Sequence, residues 1–262
     1  MRSSRSGKAE HAQAPAWLTE RPYAHRGLHG PGRLENSRAA FEAAIGAGFG
    51  IELDVQVSRD GRAMVIHDAD LSRLTGDRGL VAERDWAELR RVALNGTTET
   101  IPDLDEILDL IGGRCPLLIE VKTGRRSARA LCRDISARLS SYRGDAAIMS
   151  FNPQIGSWFA RNAPQITRGL VVTERNRKGI RGKVERRLAL WRSRAQFLAY
   201  DIKSLPSPMA AAARSSGLAL LTWTVANAHD EEAAAIYADQ IIHELAQRGS
   251  TRRIPSDSAE RQ

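Results

Sequence analysis

Ile51-Glu52-Leu53-Asp54-Val55-Gln56-Val57, Ser58-Arg59-Asp60-Gly61-Arg62 and Ala63-Met64-Val65-Ile66-His67 form the continuous stretch that decides the fold. Its two outer runs are β-like, and Asp-Gly flanked by alternating apolar residues is a strong hairpin signal. No crossover helix fits into so short a gap, so the runs are expected to pair antiparallel. With Asp60-Gly61 as a two-residue turn, His67 falls opposite Asp54. Glu52 and Asp54 share one face, because side chains alternate along a strand. Two carboxylates within an apolar strand are costly to bury unless they are paired or hold a cation.

Around this hairpin, further β-like runs occur at Pro22–His25, Leu117–Lys122, Ala147–Phe151, Gly169–Thr173, Phe197–Asp201, Ala219–Val225 and Gln240–His243. Helical patterns lie between most of them: Ser37–Ala47 with Asn36 as N-cap, Glu83–Leu94, Leu104–Ile111, Ser127–Leu139, Lys183–Ala195, Met209–Ser215 and Asp230–Tyr237. Strands alternating with helices point to a parallel β/α architecture. If Ala63–His67 is the returning arm of a hairpin, the other eight runs complete a ring. The expected fold is therefore of the α/β class, a single TIM-type (β/α)8 barrel with a small β-hairpin/helical insertion near the mouth. A length of 262 residues suits one barrel of about 250. Residues 1–20 are expected to be a flexible N-terminal segment, 21–246 the barrel domain, and 247–262 a disordered C-terminal tail.

Apolar and charged contents of 42% and 27% are those of a soluble globular chain. No apolar run approaches the roughly 20 residues that span a bilayer, and Met1–Glu20 lacks a signal-peptide core. Cys115 and Cys132 lack metal-site spacing and suit a reducing compartment, so a cytoplasmic location is expected. The formal net charge of +8 favours anionic partners. Much of it lies in Arg175, Arg177, Lys178, Arg181, Lys183, Arg186, Arg187, Arg192 and Arg194, among which Ile180, Val184, Leu188, Trp191 and Ala195 recur at helical spacing. We read this as a barrel helix with a solvated basic outer face; weak membrane-surface contact through 175–195 is the second reading. With 5% aromatic residues and no RNA-binding motif, specific nucleic-acid binding is not expected. Nothing in the sequence fixes the oligomeric state.

Glu120 repeats the carboxylate pattern in Leu117-Leu118-Ile119-Glu120-Val121-Lys122, with Lys122 on the same face. Glu52, Asp54 and Glu120 at strand C-terminal ends make an all-oxygen site for one divalent cation, Mg²⁺ or Ca²⁺ rather than zinc. His25 and His67 each end a strand at the same mouth, and imidazole suits proton transfer near neutral pH. The planar guanidinium of Arg26 can grip a phosphate at two oxygens, or else pair with an acid. Together these groups suit phosphodiester cleavage: charge on phosphoryl oxygens is offset while one histidine accepts a proton and the other donates one.

His25-Arg26-Gly27, Glu35-Asn36-Ser37, Glu52-Leu53-Asp54-Val55, Asp60-Gly61, Val65-Ile66-His67-Asp68, Leu71, Arg73-Leu74-Thr75-Gly76 and Glu120-Val121-Lys122 are the relevant motifs. In order and spacing they resemble the glycerophosphodiester phosphodiesterases over about Pro22 to Glu244. Met149-Ser150-Phe151 and Leu221-Thr222-Trp223-Thr224-Val225 are similar to later segments of that family. The resemblance implies metal-dependent release of glycerol 3-phosphate and an alcohol through a cyclic phosphate. It makes His25 and His67 the acid/base pair, Glu52, Asp54 and Glu120 the cation ligands, and Arg26 and Lys122 the phosphate contacts. Trp223 is similar to the family's aromatic wall for glycerol, with core packing as the other reading. Glu35 either orients a site group or is structural. The C-terminal strand departs from the family, and Glu244 stands as the candidate replacement for its usual aspartate. Two alternatives are carried beside this reading: lysophospholipase D-like action on lipid diesters, and a catalytically silent anion- or RNA-binding barrel.

Overall fold

The structure, a computed structural model, describes residues 14–122, 128–175 and 179–244. Nine strands form its sheet: β1 Tyr23–Ala24, β2 Gly50–Val57, β3 Ala63–Val65, β4 Leu117–Val121, β5 Ala146–Ser150, β6 Thr167–Val172, β7 Phe197–Asp201, β8 Ala219–Val225 and β9 Gln240–His243. They follow the order β1-β9-β8-β7-β6-β5-β4-β2, and a β1–β2 pairing closes the ring of eight. Every pairing in the ring is parallel, whereas β3 pairs antiparallel with β2 alone. The chain is thus a closed (β/α)8 barrel with its ninth strand outside the ring.

The helices are α1 Arg38–Gly46, α2 Ser72–Thr75, α3 Trp86–Leu89, α4 Leu104–Ile111, α5 Ala128–Ser141, α6 Pro153–Asn162, α7 Gly179–Ser193, α8 Pro208–Ser215 and α9 Ala228–Tyr237. Alternation along the strands builds two cores. Tyr23, Leu118, Met149, Val171, Phe197 and Leu221 fill the barrel, while Ile51, Leu53, Val55, Ile119 and Val121 turn outward onto the helices. A third cluster, including Met64, Ile66, Leu71, Val81, Leu89 and Ile101, supports the insertion after β3.

Several sequence expectations change. The hairpin register is one residue off: Val55 faces Val65 and Val57 faces Ala63, so Asp54 meets Ile66, whose N–H donates to the Asp54 carbonyl at 3.1 Å. The turn is longer than two residues. Ser58 N–H donates to Arg62 O, and Gly61, at φ 92°, donates to Ser58 O. The positive φ makes glycine the natural residue at the end of this three-residue loop. Ser37, not Asn36, caps α1, accepting from Ala40 N–H. The helix expected over Glu83–Leu94 shrinks to α3, restarted by Asp85, whose N–H donates to Glu88 at 2.9 Å. α6 was not expected. Asn152 caps it and Pro153 occupies its first turn, where a missing N–H costs nothing.

Within the supposedly flexible 1–20, residues 16–19 form a 3₁₀ turn, and Leu18 is buried against the barrel core. Tyr23 donates to Leu18 O and Gln240 to Thr19 O, which seats this turn at the end where the strands begin. The first thirteen residues, and the tail expected over 247–262, lie outside the described residues.

α7 corrects the larger expectation. Its barrel face carries Gly182, Arg186, Ala189 and Ser193, and its apolar stripe points away from the barrel. Ile180, Val184, Leu188 and Trp191 are 82%, 50%, 58% and 74% exposed. Only Ala195, beyond the helix end, is buried. Small residues let the helix lie close to the barrel, and Arg186 pairs inward with Glu174 at 2.8 Å. No described helix is long and apolar enough to cross a membrane.

Candidate active site

The barrel's alternation turns Glu52 and Asp54 inward, and the β2–β4 register sets Asp54 beside Glu120. Each of the three buried acids offers an oxygen within 4.8 Å of the others. Lys122, following β4, places Nζ 3.1 Å from Asp54 Oδ1 and 2.7 Å from Glu120 Oε1. Arg26 Nε lies 3.2 Å from Asp54 Oδ2, and the Arg26 N–H donates to Glu52 Oε2 at 3.0 Å.

The hydrogen-bonding capacity of this cluster is only partly met. Glu52 Oε1 has no hydrogen-bond partner, and Asp54 Oδ1 and Glu120 Oε1 meet Lys122 without hydrogen-bond geometry. Burial, reinforced by the Asp54 charge, pushes the Glu52 carboxyl up to about 8. Burial also raises Glu120, with Lys122 offsetting only part of it. Asp54 ends below its ordinary value: burial would raise it, but the charges of Lys122, Arg26 and His67 and the Asn36 hydrogen bond outweigh that. Clustered buried carboxylate oxygens with so few donors around them are the donor set of a hard divalent cation. Glu52, Asp54 and Glu120 fit that role.

Two histidines flank the acids, each with its Nδ1 tied to a carboxylate. His25 Nδ1 lies 2.5 Å from Glu244 Oε1, and its Nε2 is 3.9 Å from Glu52. Burial would lower the His25 pKa; the Glu244 hydrogen bond and the Glu52 charge reverse this and leave it raised. His67 Nδ1 lies 2.6 Å from Asp68 Oδ1. Its pKa is lowered by burial and by Lys122, which together exceed the pull of Asp54 and Asp68. The register correction does not remove His67 from the site, because Gln56 donates to its carbonyl at 2.7 Å and fixes the chain there.

A second layer holds these groups in place. Arg73 reaches Asp68 at 2.5 Å and grips both oxygens of Glu35 at 2.7 and 2.9 Å. Glu35 also accepts from Arg26 at 2.7 Å. An unbroken chain therefore joins His67 to Asp54 through Asp68, Arg73, Glu35 and Arg26. Asn36 clasps Asp54 twice, donating to its carboxylate at 3.0 Å and accepting from its N–H at 3.2 Å. Arg26, Gly27 and Asn36 have φ of 58°, 78° and 55°. At Gly27 a Cβ would lie 2.9 Å from Ala40 and Phe41, so only glycine lets the turn close here.

His25, His67, Arg26, Lys122, Glu52 and Glu120 line one wall of a cavity of about 290 Å³. Met149, Phe151, Val171, Trp223 and Ile242 form the apolar side. Trp223 meets Phe151 edge-on at a centroid distance of 5.6 Å and donates from Nε1 to Ala199 O at 2.9 Å. It therefore both lines the cavity and packs against the barrel core. Every residue expected at the site from sequence lines this cavity except Asp54, which contacts its lining residues Arg26 and Lys122. Sequence reasoning gave no role to Asp68, Arg73 or Phe151 and misread Asn36. The adjacency of Asp68 to His67 was the available signal for the first.

Residues 25–250 match the profile of the Glycerophosphoryl diester phosphodiesterase family. A glycerophosphodiester phosphodiesterase of Bacillus altitudinis is 41% identical over 107 residues, 38% of this chain and 43% of that protein. One from Caldanaerobacter subterraneus subsp. tengcongensis is 28% identical over 212 residues, 76% of this chain and 83% of that one. An Oleispira antarctica phosphodiesterase, solved in complex with the product sn-glycerol-3-phosphate, superposes with a TM-score of 0.74. That match has 22% identity and covers 85% of this chain and 92% of the other. With barrel, carboxylate cluster and profile in agreement, the chain belongs to the glycerophosphoryl diester phosphodiesterase family, a family of phosphoric diester hydrolases.

Proposed function

We propose that the chain hydrolyses glycerophosphodiesters to glycerol 3-phosphate and an alcohol, at the cavity between β1, β2, β4 and β8. The observation carrying this reading is a cluster of three buried, incompletely hydrogen-bonded carboxylates, two of them lining the same cavity as two carboxylate-tethered histidines. The product-bound Oleispira relative supports the choice of substrate class.

Glu52, Asp54 and Glu120 would hold one divalent cation, Mg²⁺ or Ca²⁺. Such an ion supplies Lewis-acid stabilisation of charge developing on the phosphoryl oxygens. Arg26 and Lys122 add fixed positive charge to the same oxygens. With Nδ1 engaged, each histidine keeps Nε2 for proton transfer. One takes the proton of the attacking glycerol hydroxyl as its oxygen bonds to phosphorus; the other protonates the departing alkoxide, leaving a cyclic phosphate. Water then opens the ring with the proton roles reversed, and glycerol 3-phosphate leaves. Trp223 and Phe151 pack against the glycerol carbons.

Replacing either histidine tests the assignment. His25→Ala and His67→Ala should each lower turnover by about 10²- to 10⁴-fold in a protein that remains folded by circular dichroism. Unchanged rates in both contradict it. A second cavity of about 430 Å³ shares Phe151 and Val171 with the first and continues beneath α7. This apolar extension favours, as a second reading, action on lysolipid diesters, distinguished by comparing rates on lysolipids and on their deacylated head groups. The barrel domain is proposed to comprise residues 21–246. A cytoplasmic location is proposed from the two free, buried thiols of Cys115 and Cys132.

A further inference from the structure

α7 leaves a surface for which neither the fold nor the reaction has a use. Among the described residues seven large hydrophobic side chains are exposed, and four of them, Ile180, Val184, Leu188 and Trp191, lie on this helix. At about 100° per residue they form one stripe on the side opposite the barrel contact. Arg181 and Arg192 border the stripe on one side, Lys183 and Arg187 on the other, and all four are exposed. The helix's single acid, Glu185, sits off the stripe beside Arg181 at 3.4 Å.

We propose that this face docks on a bilayer surface bearing anionic headgroups. Contiguous exposed apolar surface is unusual on a soluble domain and marks a contact site. Here the chemistry selects the partner. A second copy of the chain would bring the same four cations against their images, under a net charge of +8. A nucleic-acid backbone would satisfy the cations and leave the apolar stripe in water. An anionic bilayer takes both: the stripe enters the headgroup–acyl boundary, the cations meet lipid phosphates, and the Trp191 indole suits that boundary.

The neighbouring surface continues the pattern. Arg129, Arg133 and Arg161, with Arg192 of α7, line a groove of about 590 Å³ that also contains Trp158. On the inner side of α7, the apolar cavity that begins at Phe151 and Val171 passes beneath the helix. Docking through α7 therefore places the bilayer beside the proposed active site rather than behind it.

Flotation of the full chain with phosphatidylglycerol vesicles, compared with phosphatidylcholine vesicles, tests this directly. Binding to the anionic vesicles alone, falling as salt rises, is expected. The double variant Leu188→Ser/Trp191→Ser should weaken it by at least about tenfold, and Arg187→Glu/Arg192→Glu should abolish the preference for anionic lipid. All four positions are exposed and outside the site, so turnover on a soluble diester should be unchanged in both variants. Absence of binding to anionic vesicles overturns the proposal. So does binding that the serine variant leaves intact, or self-association in sedimentation that the same variant removes.

Discussion

His25 Nδ1 lies 2.5 Å from Glu244 Oε1, although the two residues are 219 positions apart. The contact exists because β1 and β9 are adjacent in the ring, with His25 N–H donating to His243 O at 2.9 Å. Barrel closure itself thus assembles one of the two histidine–carboxylate pairs. Glu244 raises the His25 pKa, and its own carboxyl is held far below the usual range by the His25 hydrogen bond, with the His29 imidazole 3.9 Å away.

Glu244→Gln keeps the shape and removes the charge. The His25 titration midpoint, followed by NMR in cation-free protein, should move down. Turnover should fall by roughly 10- to 100-fold, as when a partner that orients an active-site histidine is lost. An unshifted midpoint with full turnover would mean that Glu244 only packs there.

Glu52 is raised because it is buried beside Asp54. Glu52→Gln should therefore leave cation-free protein about as stable as the parent, since a neutral amide replaces a carboxyl that burial beside Asp54 already keeps largely protonated at neutral pH. In the parent, Mg²⁺ or Ca²⁺ at about 100 times its Kd should add about 2.7 kcal/mol of stability; in the variant that gain should largely vanish. Thermal melts with and without each ion read both effects, and an equal shift in both proteins contradicts the ligand assignment.

Asn36 combines a left-handed backbone with two hydrogen bonds to Asp54. Asn36→Gly loses only the bonds, at a cost of about 1–3 kcal/mol. Asn36→Ala adds backbone strain of about 1–2 kcal/mol. Urea unfolding should rank the parent above the glycine variant and the glycine variant above the alanine variant; alanine equal to glycine would show that the φ carries no strain.

His243 is buried, its ring 4.7 Å from that of Phe49, and burial, with a smaller effect from the His25 charge, lowers its pKa to about 4. Below its ordinary value of 6.5 the unfolded chain takes up a proton that the folded chain refuses. This contribution to stability is complete above pH 6.5 and is lost as pH falls toward 4. It amounts to no more than about 3 kcal/mol. His243→Gln should flatten stability over that window, and an unchanged slope would place the titration elsewhere.

Much of the barrel was legible because its strands announce themselves. Glu52, Asp54 and Glu120 stand out as acids inside apolar runs, and β7, β8 and β9 begin and end where the apolar pattern does. The hairpin register was not legible, since Asp60-Gly61 serves a two- or a three-residue loop and only the Ser58–Arg62 bonds decide between them. The orientation of α7 ran against its pattern. Gly182, Ala189 and Ser193 face the barrel by virtue of their size, a criterion that hydrophobic periodicity does not weigh. Asn36 read as a cap because the residue that does cap, Ser37, is its neighbour. The second layer of Asp68, Arg73 and Glu35 depends on contacts across up to 38 positions, which spacing alone does not encode.

The decisive measurement is release of glycerol 3-phosphate from glycerophosphocholine with Mg²⁺, with Ca²⁺ and with EDTA. Release is expected with a divalent cation, abolished by EDTA and restored when the ion is returned. Release that EDTA leaves untouched, or none with either ion on this diester, glycerophosphoethanolamine or glycerophosphoglycerol, would contradict the proposed function.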